Sequence, residues 1–128
     1  MSVEARVVVV PKNAGPLAIH SVTLPSPGPY QVLIKQFASG ICHSQLHTMH
    51  RPRMGPEVLG HESTGEVLEI GDQVSHLAKG DRVMVTWVPR QISAGDRLPE
   101  GARVDLGDGQ VATSGNVFTW ADHTLADE

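Results

Sequence analysis

Five consecutive residues, Pro25-Ser26-Pro27-Gly28-Pro29, forbid regular structure early in the chain. Proline fixes φ and lacks the N–H that a helix interior or central strand requires, so this stretch is a stiff turn. The runs around it are short and suited to strands. Val7 to Val10 is β-branched and closed by Pro11, and such side chains fit a pleated surface. Beyond the turn, Val32, Ile34 and Gln36 alternate with Leu33, Lys35 and Phe37, giving a strand with both faces partly apolar. The segment Glu62 to Gly71, with Gly65-Glu66-Val67-Leu68-Glu69-Ile70 at its centre, reads as another strand. Gly80-Asp81 is a turn, and Arg82 to Trp87 is strand-like again. Thirteen glycines and nine prolines without a repeat indicate many turns rather than disorder. Short strands punctuated this way predict a barrel or sandwich, not alternating βαβ units.

One stretch breaks the pattern. Between Gly40 and Met49 there is no proline, and helical spacing puts Cys42, Leu46 and Met49 on one face and His43, His47 and His50 on another. A short helix is expected, with Cys42 at its N-terminal end, where the dipole favours thiolate. Toward the end, Arg103 to Thr113 predicts a hairpin turning at Gly107-Asp108-Gly109, and Phe118 to Leu125 one more strand. The ending at Ala126-Asp127-Glu128 carries no capping or breaking residue and reads as a truncation.

The 128 residues suffice for one domain with a real core, and 4% aromatics mean that core is built mostly of Val, Leu, Ile and Ala. A net charge of -4 argues against wrapping nucleic acid or lying on an anionic membrane. No apolar run approaches a membrane span, and the N-terminus lacks the pattern of a secretory signal. A single cysteine, Cys42, excludes an internal disulfide and fits a reducing compartment, so a cytoplasmic domain is expected.

Cys42, His43, His47, His50 and His61 fall within twenty residues of one another. Thiolate and imidazole are the donors zinc prefers. Spacing leaves two sites open: a helix-face set of His43, His47 and His50, or a pairing of Cys42 with His61, which follows Gly60 and precedes Glu62. The bland alternative is that the histidines decorate a solvated face while Cys42 packs as a small apolar group. His61-Glu62 is not half of a zinc-protease helix motif, because position 65 is Gly65. Gly107-Asp108-Gly109-Gln110-Val111-Ala112 matches a dinucleotide fingerprint, but the following Thr113-Ser114-Gly115-Asn116 is a poor helix, so the hairpin is preferred. Arg51-Pro52-Arg53 is expected to be a solvated loop with two charges.

Gly40-Ile41-Cys42-His43-Ser44, His47 and Val58-Leu59-Gly60-His61-Glu62-Ser63-Thr64-Gly65, followed by Gly71, Val74 and Gly80-Asp81-Arg82-Val83, closely resemble the zinc-containing alcohol dehydrogenases of the medium-chain dehydrogenase/reductase superfamily. Phe118 to Thr124 extends the likeness more faintly. The resemblance implies a mainly β fold, a GroES-like partly open β-barrel with a few short helices. It makes residues 1–128 an incomplete catalytic domain, with the Rossmann cofactor domain absent. It selects Cys42 and His61 as ligands of one catalytic zinc, with Glu62 a neighbouring or exchanging ligand and a third ligand, a cysteine, beyond Glu128. Ser44 would take the alcohol proton and pass it through the cofactor ribose to His47. His43 would lie near the cofactor pyrophosphate, and Trp87 would line the substrate pocket.

The implied chemistry is reversible NAD(P)-linked oxidation of a small alcohol to an aldehyde or ketone: an open-sided zinc lowers the pKa of a bound alcohol, and the cofactor accepts hydride. A homo-oligomer is implied at full length, and no turnover by this chain alone. Two departures stand out. Gln45 occupies the position of an aspartate that orients the histidine; it is expected to accept a hydrogen bond from His61 but to raise its basicity less, lowering zinc affinity. Arg90 to Gly115 contains no cysteine, so the four-cysteine structural zinc of many relatives is not expected. The rival reading is a non-catalytic, stand-alone GroES-like assembly or binding module, which has no need for Cys42, Ser44, His47 and Gly60-His61-Glu62.

Overall fold

The computed structural model describes residues 2–13, 15–88, 99 and 101–128. Among the described residues there are nine strands and one helix: β1 (Val3–Val10), β2 (Ala18–Leu24), β3 (Gln31–Ser39), α1 (Ser44–His50), β4 (Glu57–Val58), β5 (Glu62–Ile70), β6 (Arg82–Thr86), β7 (Arg103–Gly107), β8 (Gln110–Thr113) and β9 (His123–Asp127). They form a five-stranded sheet ordered β2-β1-β4-β8-β7 and a four-stranded sheet ordered β6-β5-β3-β9. The outer strands β2 and β7 of the first sheet lie against each other, so it curls almost closed. This is the expected mainly β, barrel-like GroES architecture. Among the described residues it holds one short helix rather than a few.

The strand β3 shows why both its faces are apolar. Leu33 packs into a core with Val7, Val9, Val22, Leu24, Val58, Val104 and Phe118. Its neighbours Val32 and Ile34 turn the other way, into a second core with Val67, Val85, Val117 and Ala126. Alternation on one strand thereby serves two cores. Phe118 is fully buried, and truncating such a side chain costs about 3–5 kcal/mol.

Several expected boundaries shift. The strand Ala18–Leu24 was not among those expected, its alternation being mixed with His20 and Ser21, yet it pairs with β1 from Val3↔Leu24 to Val9↔Ala18. The helix begins at Ser44, not Gly40. The last strand begins at His123 rather than Phe118, because the preceding residues are used elsewhere. The amides of Thr119 and Trp120 both donate to the Leu59 carbonyl, and Val8 N–H donates to the Trp120 carbonyl. The hairpin is as expected, with Gly107, Asp108 and Gly109 all at positive φ, the backbone that glycine adopts freely. Pro89 to Leu98, most of the segment that precedes this hairpin, lies outside the described residues.

The segment before β9 also joins the two sheets through Asp122. Its carboxylate accepts from the Arg6 backbone N–H at 2.9 Å and from the Arg6 guanidinium at 3.3 Å, and Nδ1 of His123 lies 3.0 Å from it. Burial pushes this carboxyl up, but the hydrogen bonds from His123 and Arg6 outweigh it and hold it below the ordinary value. A carboxyl depressed in the folded state stabilises fully above its unfolded pKa, and that contribution disappears as pH falls through the folded value. Asp122→Ala is therefore expected to cost about 1 kcal/mol at neutral pH, with the difference from wild type vanishing in strong acid. Urea unfolding at several pH values checks this; a penalty that grows toward low pH contradicts it.

Candidate functional site

The antiparallel pairing of β3 with β5 sets the site. Ala38 faces Thr64 and Ser39 faces Ser63, and beyond the last pair Gly40 N–H donates to the Glu62 carbonyl at 2.8 Å. The chain leaving β3 therefore runs beside the chain entering β5. Cys42 and His61, nineteen positions apart, are brought to the same end of the sheet. Ligand atoms of Cys42, His61 and Glu62 lie within 4.8 Å of one another. Among the described residues this is the only such grouping of three or more His, Cys, Asp or Glu side chains. Of the two sites that spacing left open, the helix-face set is not gathered: His43 and His47 approach edge to face at 5.5 Å, but His50 does not complete a trio.

Gly60 permits the close approach that aims His61. Its φ is +99°, and a Cβ there would overlap Thr119 and come within 2.7 Å of the Trp120 ring. A side chain would push the Phe118–Trp120 segment off Leu59 and move His61 with it. The other wall is tied down too: the Trp120 indole N–H reaches the Gly40 carbonyl at 3.3 Å, and the Ser39 and Thr119 hydroxyls are 2.9 Å apart. Gln36 donates to the carbonyls of Thr119 and Ala121 from below.

Cys42 is half-buried and its thiol is pushed below the ordinary value, foremost by hydrogen bonds from the hydroxyl and the backbone N–H of Ser44, against burial and the Glu62 charge. The expected thiolate bias is present, with the Ser44 donors as its main cause. Cys42, His61 and Glu62 open onto a cleft of about 630 Å³ walled by Gly40, Thr64, Met84 and Trp87. The Trp87 ring lies 6.4 Å from that of His61, and its carbonyl is held by the Asn116 amide at 2.6 Å. Met84 and Trp87 are both largely exposed, an unusual concentration of apolar surface around polar groups. His43, just before α1, and Ser44 and His47 on it are exposed and do not line this cleft.

Three features were misjudged in the sequence. The buried residue of α1 is Gln45, at 4% exposure, while Leu46 of the expected apolar face is 43% exposed. Gln45 also does not accept from His61. Its Oε1 takes the Cys42 N–H at 2.6 Å, so its Nε2 faces His61 Nδ1 at 3.1 Å. Arg53 is not solvated. Its side chain is 4% exposed and donates to the carbonyls of Pro11 at 2.8 Å, Thr48 at 2.9 Å and Met49 at 2.6 Å, beside Glu57 at 3.7 Å. It thereby satisfies two C-terminal carbonyls of α1, those of Thr48 and Met49. The only sequence signal was that the flanking Pro52 must end the helix there.

A family model, the alcohol dehydrogenase GroES-like domain, matches residues 28–126. An alcohol dehydrogenase of Rhizobium meliloti is 45% identical over 85 residues, covering 62% of this chain and 25% of that protein. A sorbitol dehydrogenase of Gallus gallus is 41% identical over 90 residues, covering 65% of this chain and 25% of that protein. The chain thus spans about a quarter of the length of these curated relatives. Among solved structures, an alcohol dehydrogenase zinc-binding domain protein from Burkholderia ambifaria superposes on all of this chain and 41% of its own, with a TM-score of 0.84 at 23% identity. No described helix is long and apolar enough to cross a membrane.

Arg53 fixes the helix that carries Ser44 and Gln45. Arg53→Ala strands three carbonyls and leaves the mostly buried Glu57 with a weaker counter-charge, so a loss of about 2–4 kcal/mol is expected in denaturant unfolding. A loss below about 0.5 kcal/mol, the level of an ordinary surface change, would show that the clamp is not structural.

Proposed function

Because the chain belongs to the alcohol dehydrogenase GroES-like domain family, we propose that it is the metal-binding catalytic domain of a zinc-dependent, NAD(P)-linked dehydrogenase that interconverts alcohols or polyols with aldehydes or ketones. The observation that carries this reading is the meeting of Cys42, His61 and Glu62 at the mouth of one cleft. The donors suit the ion: sulfur, imidazole nitrogen and carboxylate oxygen are what zinc takes. Donors bound to one tetrahedral ion lie roughly 3.3–3.8 Å apart, so a separation of up to 4.8 Å needs only side-chain adjustment. When bound, zinc supplies Lewis acidity toward an alcohol or carbonyl oxygen.

The remaining roles fall to residues of this chain. Cys42 offers a sulfur whose thiol the two Ser44 donors hold below its ordinary value, easing the loss of its proton to a metal. Glu62 is exposed and unencumbered enough to bind or withdraw. Ser44, whose hydroxyl hydrogen-bonds the Cys42 sulfur at the edge of the cleft, would take the alcohol's proton, and exposed His47 on α1 would carry it to solvent. His43 precedes Ser44 on the same exposed surface and would meet the cofactor's phosphates. The nicotinamide cofactor would be held mainly by a further domain, and a small alcohol would lie against Trp87 and Met84. The support for a dehydrogenase over a passive assembly module is that Cys42, His61 and Glu62 converge on a cleft rather than lying dispersed over an even, non-reactive face.

Zinc affinity of the chain, measured by competition with a chromogenic chelator, tests the ligand set. Cys42→Ala and His61→Ala are each expected to weaken binding by more than about 100-fold, whereas His50→Ala stays within about twofold. If His50→Ala is as damaging as His61→Ala, the ion sits on the helix face and this reading fails.

A further inference from the structure

Gln45 is the buried side chain of α1 and touches both proposed ligands. Its amide cannot be turned at will. The Cys42 backbone N–H can only donate, so the group 2.6 Å away must be the amide oxygen. The other end of the amide is then NH₂, also a donor, and the His61 Nδ1 at 3.1 Å must offer it a lone pair. A neutral imidazole carries one proton. With Nδ1 bare, that proton resides on Nε2, the ring nitrogen left for a metal.

Resting on the zinc centre argued above, we propose that Gln45 locks His61 in the tautomer that cannot ligate, so that metal entry must first reverse the ring. The balance is simple: one N–H bond is lost at Nε2, one forms at Nδ1, and the imidazole stays neutral. The reversal leaves the new Nδ1–H facing the amide NH₂. Flipping the amide to meet it sets NH₂ against the Cys42 N–H instead. Gln45 can satisfy one donor with oxygen but never both, while an isosteric carboxylate accepts from the two together. Gln45 is thus a positioning residue that makes occupancy conditional. The hydrogen bonds of Gln45 thereby compete with the ligating form of His61 and weaken metal binding. This differs from a neutral group merely raising ligand basicity less: the amide actively opposes the ligating form.

Two readouts test the lock. Long-range ¹H–¹⁵N correlation on the metal-free 128-residue chain reads which ring nitrogen of His61 is protonated. The proton on Nε2 in wild type, moving to Nδ1 in Gln45→Glu, is the expected result; a proton already on Nδ1 in wild type overturns the proposal and needs no variant to fold. Zinc titration of the same two proteins is expected to show Gln45→Glu binding tighter by about 10-fold or more; equal or weaker binding by a folded Gln45→Glu also overturns it. The underlying metal centre fails separately: zinc binding indifferent to Cys42→Ser would remove the ion from this pocket, while the tautomer is still read on the metal-free chain.

Discussion

The register between β3 and β5 is the constraint on which everything else rests. Pairing Ser39 with Ser63 fixes which residues meet just past the end of the ladder, and those are the Gly40–Cys42 and Gly60–Glu62 segments. The register is reached through two irregularities, one between Leu33 and Ile34 and one between Gln36 and Ala38. The first shifts the pairing by one residue and the second restores it. Bulges add local twist and re-aim the strand beyond them, and here Phe37 is the residue left over on β3, 55% exposed. A net slip of one residue would turn Val32, Leu33 and Ile34 into the wrong cores, since side chains alternate along a strand. The two hydrophobic clusters therefore enforce the alignment that the polar site needs.

Around that alignment the site is held from outside rather than by its own groups. The Phe118–Asp122 segment binds Leu59, Gln36, Gly40 and Val8 at once, and Arg53 fastens the far end of α1. Such support is what a reactive cluster requires, because cysteine, histidine and glutamate at the surface have no packing reason to converge. The cleft itself is left open, and its apolar rim of Met84 and Trp87 remains exposed.

Much of this was legible in the chain. Turn chemistry at Pro25–Pro29 and Gly107–Gly109 and the β-branched runs gave the strand-rich architecture, since those signals are local. Choosing between two metal sites was not possible from spacing; it needed the resemblance around Gly60-His61-Glu62, and the fold gathers the same residues. What escaped was non-local or contrary to type. A buried glutamine at position 45 and a buried arginine at position 53 defy the usual preference of such residues for solvent; each is explained only by carbonyls and amides supplied from other segments. The late start of β9 has the same origin, because Thr119 and Trp120 spend their amides on Leu59.

X-ray absorption at the zinc edge of the loaded chain tests the central claim most directly. A shell containing one sulfur at about 2.3 Å, with nitrogen and oxygen at about 2.0–2.2 Å, is the result the proposed centre predicts, since Cys42 is the sole cysteine. A shell of nitrogen and oxygen alone would mean that the ion is held elsewhere, and that Cys42 and His61 meet for another reason.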